Sequence, residues 1–233
     1  LDHYWDCMRA ELLEARGGWG LAMAIPAAAS GYDRVHYPEA RSVIYLAGVD
    51  ETLMELALLK LSLAENCVFK LMDERQKRIV ERHFALEWVR SFLSFTAGAA
   101  PFIDCPEVIR SSAFDCDLFD LWQENGYNKE EILMYFSMGA RSYAWREGGD
   151  VLSTCLVFPN NASIWEIGAV HTRPEVRGRG LARRVVSAAA RDLAAEGKTI
   201  RYQAEQSNEA SIRLALSIGL KLGLALTHYW HTA

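Results

Sequence analysis

The chain has 233 residues, 51% of them hydrophobic and 24% charged, with a formal net charge of −5. That composition belongs to a soluble globular protein, long enough for one large domain or two small ones. Its acidity excludes generic binding to nucleic acid or to an anionic membrane.

Five cysteines stand singly at Cys7, Cys67, Cys105, Cys116 and Cys155. The number is odd and no Cys-x-x-Cys pair occurs, which speaks against a zinc site or a disulfide framework and for a reducing cytoplasm. The opening Leu1–Asp6 lacks the basic and apolar regions of a signal peptide. The most apolar short run, Leu21–Ala29, is interrupted by Pro26 and falls far below the roughly 20 residues that span a bilayer. The expectation is a cytoplasmic protein that touches neither membrane nor nucleic acid.

In chain order, a first helix is expected near Tyr4–Ala15, followed by a glycine- and alanine-rich stretch. Ser42–Ala47 is β-like. Asp50–Glu65 has the spacing of an amphipathic helix with Asp50 as its N-cap. Cys67–Met72 is a second strand and Asp73–Ser91 a second long helix, so the first half has the order βαβα. Gly98, Pro101 and Pro106 mark a boundary, giving domains over 1–104 and 105–233.

The second half begins with a short strand at Val108–Ser112. Helices follow at Leu118–Gln123 and Lys129–Met138, the latter capped by Asn128 with Glu131 three residues on. Three strands come next, at Arg141–Arg146, Val151–Phe158 and Ile164–His171. Gly148-Gly149 and Pro159-Asn160-Asn161 supply turns suited to antiparallel hairpins. A helix at Gly180–Glu196, a strand at Thr199–Glu205, a helix at Glu209–Gly219 and a strand at Ala225–His231 complete the order β-α-α-β-β-β-α-β-α-β.

The segment richest in chemistry joins the third hairpin strand to the next helix. It runs Arg177-Gly178-Arg179-Gly180-Leu181-Ala182. Glycines let the backbone approach an anion, the first-turn amides of a helix point at it, and arginines neutralise it. The bland alternative is a strand-to-helix turn with solvated arginines. No Gly-x-x-x-x-Gly-Lys-Ser/Thr occurs, which disfavours a P-loop nucleotide enzyme.

The order of elements and this loop together resemble the GNAT superfamily of acyl-CoA-dependent N-acyltransferases, whose phosphate signature is Gln/Arg-x-x-Gly-x-Gly/Ala. A later segment, Asn208-x-x-Ser211-x-x-Leu214 ending in Gly219-Leu220, is similar to a second family motif. The resemblance covers about residues 108–233. It implies a mixed, mostly antiparallel sheet flanked by helices, an α/β (α+β) fold preceded by the smaller βαβα unit, which resembles the degenerate half of two-domain GNATs.

It also implies roles. Acetyl-CoA would be the cosubstrate, with no metal. Amides at Arg179–Ala182, with Gly178 and Gly180, would take the pyrophosphate, and Arg177, with Arg179 or Arg184, would be the counter-charge. Backbone groups of Val170, His171 and Thr172 would pair with the pantetheine, one amide also holding the thioester oxygen. Asn208 and Ser211 would contact the pantetheine arm or a water beside it; Asn208 is equally an N-cap.

Glu166 is the first candidate base and His171 the second, each with a structural alternative: a cross-strand partner and a strand-end histidine used only through its backbone. Where the family often has a tyrosine acid, this chain has Ala215. Cys155 is expected to be packed, since direct transfer needs no acyl-enzyme. Asp115, Asp117, Asp120, Trp122 and Glu124 suit either a cationic amine or a solvated helix face. His228, Tyr229 and His231 could line the acceptor side or form an ordinary edge strand. The expected acceptor is a small-molecule primary amine; a homodimer is allowed. The rival functions are a CoA-binding sensor or scaffold without catalysis, and a peptide or protein N-acetyltransferase.

Overall fold

The computed structural model describes residues 4–63, 66–98 and 102–232. They form two compact units, one from the described parts of 1–92 and 224–233, the other from 93–223.

The first unit opens on an antiparallel hairpin, β1 (Arg9–Ala15) with β2 (Gly18–Pro26). The helix expected at 4–15 is not there over the strand residues. Arg16-Gly17 makes a tight turn, with Gly17 at φ 92°, a conformation that glycine alone adopts cheaply. Pairing with β2 overrides the helix propensity of Arg9–Ala15. After a short helix α1 (Gly31–His36) come β3 (Ser42–Gly48), α2 (Glu51–Lys60), β4 (Cys67–Leu71) and α3 (Glu74–Glu81). The long helix expected over 73–91 stops at Glu81, and β5 (Glu87–Ala97) begins six residues later. Trp88, Val89, Phe92 and Phe95 in that segment are strand formers.

Strands β2 and β3 pair antiparallel, and β3 and β4 parallel. The last strand of the chain, β11 (Leu220–His231), returns to pair antiparallel with β4 from Thr227 to His231. Its Tyr229 packs into the core of this unit, beside Phe69, Leu58 and Ile79. His228 is 2% exposed, and its Nδ1 accepts from the Tyr37 hydroxyl at 2.6 Å. His231 Nδ1 lies 2.9 Å from the Ala85 carbonyl. These three residues are thus parts of a packed interior strand.

The second unit holds β6 (Ile109–Ser111), α4 (Cys116–Glu124), α5 (Lys129–Ser137), β7 (Arg141–Glu147), β8 (Asp150–Pro159), β9 (Ile164–Thr172), α6 (Leu181–Ala195), β10 (Thr199–Glu205) and α7 (Glu209–Ser217). Its sheet order is β6-β7-β8-β9-β10, antiparallel except for the parallel pair β9/β10. The mixed, mostly antiparallel sheet and the order of its helices match the expectation. One core buries α6 against β8, β9 and β10 through Val185, Val186, Ala189, Leu193 and Ile200. A second lies under α4 and α5, with Trp122 fully buried beside Leu121, Ile132 and Leu156.

All five cysteines are free thiols. Cys155 is enclosed in the core, its thiol pushed well up from the ordinary value by burial, so it stays a thiol. Among the described residues no group of three or more His, Cys, Asp or Glu gathers, and no helix is long and apolar enough to cross a membrane.

His228 gives the first unit a pH dependence. Burial first, then the charges of Lys70, Arg90 and His36, push its imidazole down to about 3. The unfolded chain takes up a proton near pH 6.5 that the folded chain refuses. Stability is therefore complete above pH 6.5 and falls by up to about 1.4 kcal/mol per pH unit as the pH drops towards 3. His228→Asn, which keeps an acceptor for Tyr37, should flatten that slope in urea titrations followed between pH 7 and 4.

Candidate functional site

The site begins where two parallel strands part. Strands β9 and β10 are in register from Ile164↔Thr199 to Ile167↔Tyr202. Beyond that pair β9 continues to Thr172 and β10 to Glu205 without pairing to each other. On its other edge β9 carries a bulge: Gly168 faces Leu156 and His171 faces Thr154, so Ala169 and Val170 together oppose Cys155. Ala169 sits at φ 50°, an uncommon conformation for a residue with a side chain. The extra residue turns β9 and opens the gap on the β10 side.

The loop that follows leads into α6. Its two glycines take left-handed conformations, Gly178 at φ 83° and Gly180 at φ 77°. A Cβ built on either would meet nothing within 4 Å, so the backbone there is open to an incoming group. Gly180 is the N-cap of α6 and offers no capping side chain. Every other α-helix among the described residues is capped by its own side chain: Ser30, Asp50, Asp73, Asp115, Asn128 and Asn208. The first-turn amides, from Leu181 and Ala182 on, lack intrahelical acceptors. Leu181 anchors the turn by burying its side chain.

The arginines are arranged around this end. Arg177 folds back so that its Nε donates to the Thr172 carbonyl at 3.0 Å. Arg179 pairs with Glu147 at 2.6 Å, an interaction that holds the Glu147 carboxyl below its usual range together with the Trp145 indole N–H. Arg184 stacks its guanidinium over the Trp145 ring, 5.0 Å from the centroid. Arg183, exposed on the first turn, has no charge partner among the described residues. The sequence reading did not single it out; only the helical phase shows that it stands beside the open amides.

The carbonyls of Val170, His171 and Thr172 all have partners. Asn125 Nδ2 donates to Val170 at 2.9 Å, Ser153 Oγ to His171 at 3.1 Å, and Arg177 to Thr172. Asn125, at the end of α4, was missed: a lone Asn after a helix gives no sequence signal beyond an ordinary C-cap. Its Oδ1 also lies 3.1 Å from His171 Nδ1. Glu124 Oε2 is 2.9 Å from His171 Nε2, without hydrogen-bond alignment. Burial pushes the His171 imidazole below its ordinary value. Glu124 pulls it upward, and Arg177 and Arg173 push it further down, so His171 is neutral at pH 7.

Glu166 lies across from Arg201 in the β9/β10 register and pairs with it at 3.2 Å. Asn160 Nδ2 donates to the same oxygen, Oε2, at 3.0 Å. The carboxylate is thus fixed in place, its side chain 15% exposed. Near it stands a residue the sequence did not suggest, Tyr127, in the link between α4 and α5. Burial and the charge of Glu166 raise its phenol well above the usual value.

On α7, Asn208 accepts the Ser211 amide at 3.0 Å, an ordinary N-cap. The Ser211 hydroxyl meets the Tyr202 hydroxyl at 2.7 Å, at the last paired position of β10. Ala215 is fully buried in the core, so position 215 presents nothing to a ligand. The acidic residues of α4 are divided. Arg146 takes up Asp115 and Asp117, Trp122 is core, and Glu124 faces His171, leaving Asp120 exposed.

The site thus joins a bulged strand that parts from its parallel neighbour to a glycine-arginine loop and an uncapped helix. Residues 158–231 match the family model of FR47-like proteins. A GCN5-related N-acetyltransferase from Sphaerobacter thermophilus superposes over 91% of this chain and 76% of its own, at 14% identity and a TM-score of 0.63. A GNAT-family acetyltransferase from Colwellia psychrerythraea does so over 99% and 93%, at 10% identity and a TM-score of 0.61. A tandem GNAT protein from the clavulanic acid biosynthesis pathway covers 96% and 83%, at 9% identity and a TM-score of 0.55. No curated protein sequence matches the chain. The chain has the GNAT fold and contains an FR47-like segment.

The charges around His171 can be read by titration. Glu124→Gln should lower its pKa further, because the carboxylate is the group that holds it up; Arg177→Met should raise it, because a like charge is removed. NMR of the imidazole ring resonances against pH distinguishes the two signs.

Proposed function

We propose that the second unit is an acyl-CoA-dependent N-acyltransferase that uses acetyl-CoA and acts on a primary amine of a small molecule. The observation that carries this reading is the α6 terminus: alone among the described α-helices it lacks a side-chain cap, and it begins on a left-handed glycine beside the gap between β9 and β10. An N-terminus left open in this way is a seat for a pyrophosphate.

The residues present fit the donor. Open space lies around Gly178 and Gly180, the amides of Arg179–Ala182 would take the pyrophosphate there, and Arg177, Arg183 and Arg184 would supply positive charge. Backbone groups of Val170–Thr172 lie along the unpaired edge of β9 and would hold the pantetheine, with Asn208 and Ser211 on the facing helix. When bound, the thioester supplies an activated acyl group whose leaving thiol has a pKa near 8.5, so it departs as a thiolate without a strong acid. The burden falls on the amine. An alkyl ammonium of pKa about 10.4 must shed a proton, at a cost of about 4.6 kcal/mol at pH 7.

A base is therefore worth more than the acid that Ala215 fails to supply. Glu166 fills that role. Asn160 and Arg201 fix its carboxylate, the pre-organisation that a general base requires, directly or through one water. His171, neutral but flanked by Asn125 and Glu124, is the second candidate.

Among its described residues the first unit carries no comparable seat. Its β3 and β4 also pair in parallel for a short stretch, but the helix between them starts on Asp50, whose carboxylate takes the Leu53 amide at 3.0 Å. Gly20 of β2 lies so close to that turn that a Cβ would come within 2.2 Å of the Met54 nitrogen. An anion has neither donors nor room there. The chain reads as a tandem GNAT with one donor site.

Two experiments bear on this. Arg177→Glu with Gly180→Asp should weaken acetyl-CoA binding at least about a hundredfold in calorimetry, two charge-assisted contacts being reversed. Asp at φ 77° is strained, though less than most residues, so the melting temperature should fall by a few degrees and binding is compared below it; unchanged affinity would remove the donor site. Glu166→Gln should lower kcat by about 10²–10⁴ across a panel of amines, read as release of the CoA thiol, with acetyl-CoA affinity intact. Tight binding with no turnover on any amine would instead select a sensor or scaffold, and turnover on peptides alone a peptide acetyltransferase.

A further inference from the structure

Glu131 stands in the first turn of α5 and has no part in the reading above. Its Oε1 accepts from the hydroxyl of Tyr135, one helical turn further on, at 2.9 Å. The Tyr135 ring lies flat on Phe158, with centroids 4.1 Å apart and planes 14° from parallel. Phe158 is the cross-strand partner of Glu166, so both side chains rise on one face of the sheet, beneath α4 and α5. A continuous line thus runs from Glu131 over two stacked rings to the carboxylate of Glu166. Gly168 makes room for it, because a Cβ there would come within 3.0 Å of Phe158 Cε1.

The two carboxylates differ in what they already hold. Arg201 and Asn160 take up Glu166. Arg146 likewise takes up Asp115 and Asp117, and Arg179 takes up Glu147. Among the described residues no Lys, Arg or His lies within ion-pair distance of Glu131, and the Tyr135 phenol is its side-chain partner. Burial, then the charge of Glu131 and the hydrogen bond to it, raise that phenol far above its ordinary value, so it stays a donor to the carboxylate. A carboxylate has lone pairs for further donors. Glu131 therefore presents an unbalanced negative charge beside two aromatic rings. Carboxylate and ring face both attract an ammonium group, and the rings offer a methylene chain an apolar wall.

We propose that the acceptor is an aliphatic diamine, held with one ammonium on Glu131, its methylenes along Tyr135 and Phe158, and its other nitrogen at Glu166. This rests on the N-acyltransferase reading of the second unit and names the acceptor class for it. Glu131 acts on specificity, away from the reacting atoms. The neutral nitrogen forms the new N–C bond while the C–S bond breaks. The electron pair of that bond leaves on the sulfur, and the nitrogen's proton passes to Glu166. The distal ammonium is unchanged throughout. It has one further effect: a like charge on the same short chain disfavours protonation of the reacting nitrogen, which lowers the cost of making it neutral.

Initial rates of CoA thiol release from acetyl-CoA test this in the full chain. The probes are straight-chain diamines of three to six carbons, each set against the monoamine of equal length. In the wild type at least one diamine should exceed its monoamine in kcat/KM by about ten- to a hundredfold, the range of a hydrogen bond to a charged group. Equal values at every length would overturn the proposal, whatever the folding of any variant. Glu131→Gln keeps the shape and an acceptor for Tyr135 but removes the charge. It should cut the diamine-to-monoamine ratio by about tenfold, chiefly through the KM of the diamine; a ratio that survives would also overturn the proposal. No turnover on any amine, with acetyl-CoA bound, would sink the N-acyltransferase reading and this inference with it. Equal turnover on monoamines and diamines would sink this inference alone.

Discussion

The second unit depends on one backbone constraint, the extra residue in β9. Ladder hydrogen bonds would hold β9 between β8 and β10 along its whole length if the registers allowed it. The bulge at Ala169 and Val170 breaks the register on the β8 side, and the pairing with β10 ends at Ile167. A left-handed alanine is unfavourable, by roughly 1–3 kcal/mol, and it persists only because Phe158, Tyr127 and the core around Cys155 and Ala169 hold the strand there. From that local cost come the unpaired backbone beyond Ile167 and the mouth into which the loop at 177–180 opens.

Charge is placed around that mouth with its own internal balance. Arg177, Arg179 and Arg184 do not extend freely into solvent; they rest on the Thr172 carbonyl, Glu147 and the Trp145 face. Exposed ion pairs of this kind contribute little to stability. Their effect is to hold long side chains near the helix end at small further entropic cost on binding. Asn125 does the same for the far end of β9, joining Val170 and His171 to the end of α4. The loop and the end of β9 are therefore organised by backbone and short polar contacts. The start of α4 is not open in the same way: Arg146 neutralises the two acidic residues there, and Trp122 has gone to the core.

The first unit shows what happens to similar topology without those features. Its parallel pair β3/β4 is also short, three residues in register against four in β9/β10. The connecting helix, however, is closed by an Asp50 cap and by β2 passing at Gly20. Its polar groups are turned inward instead, into the Asp33–Lys70 pair at 2.7 Å and the Tyr37–His228 bond. The same strand-helix-strand unit thus has a side-chain-capped helix start in one half of the chain and an uncapped one in the other.

The sequence by itself determined the second unit almost element by element. Turn chemistry at Gly148-Gly149 and Pro159-Asn161 set the hairpins, the Asn128 and Asn208 caps set two helix starts, and Gly178 and Gly180 set the left-handed turn into α6, because each of these is decided by a few neighbouring residues. The sequence failed where a distant partner decides. Residues 9–15 have helix formers but pair with β2, the helix at 74–81 yields to β5, and β11 begins at Leu220 where strand character was read only from 225. The bulge itself, the placement of Asn125 and Tyr127, and the capture of Asp115 and Asp117 by Arg146 have no local signature. They exist because the chain, once folded, brings α4 and its following link against β9, and only that tertiary packing decides which polar groups are consumed and which stay open to a ligand.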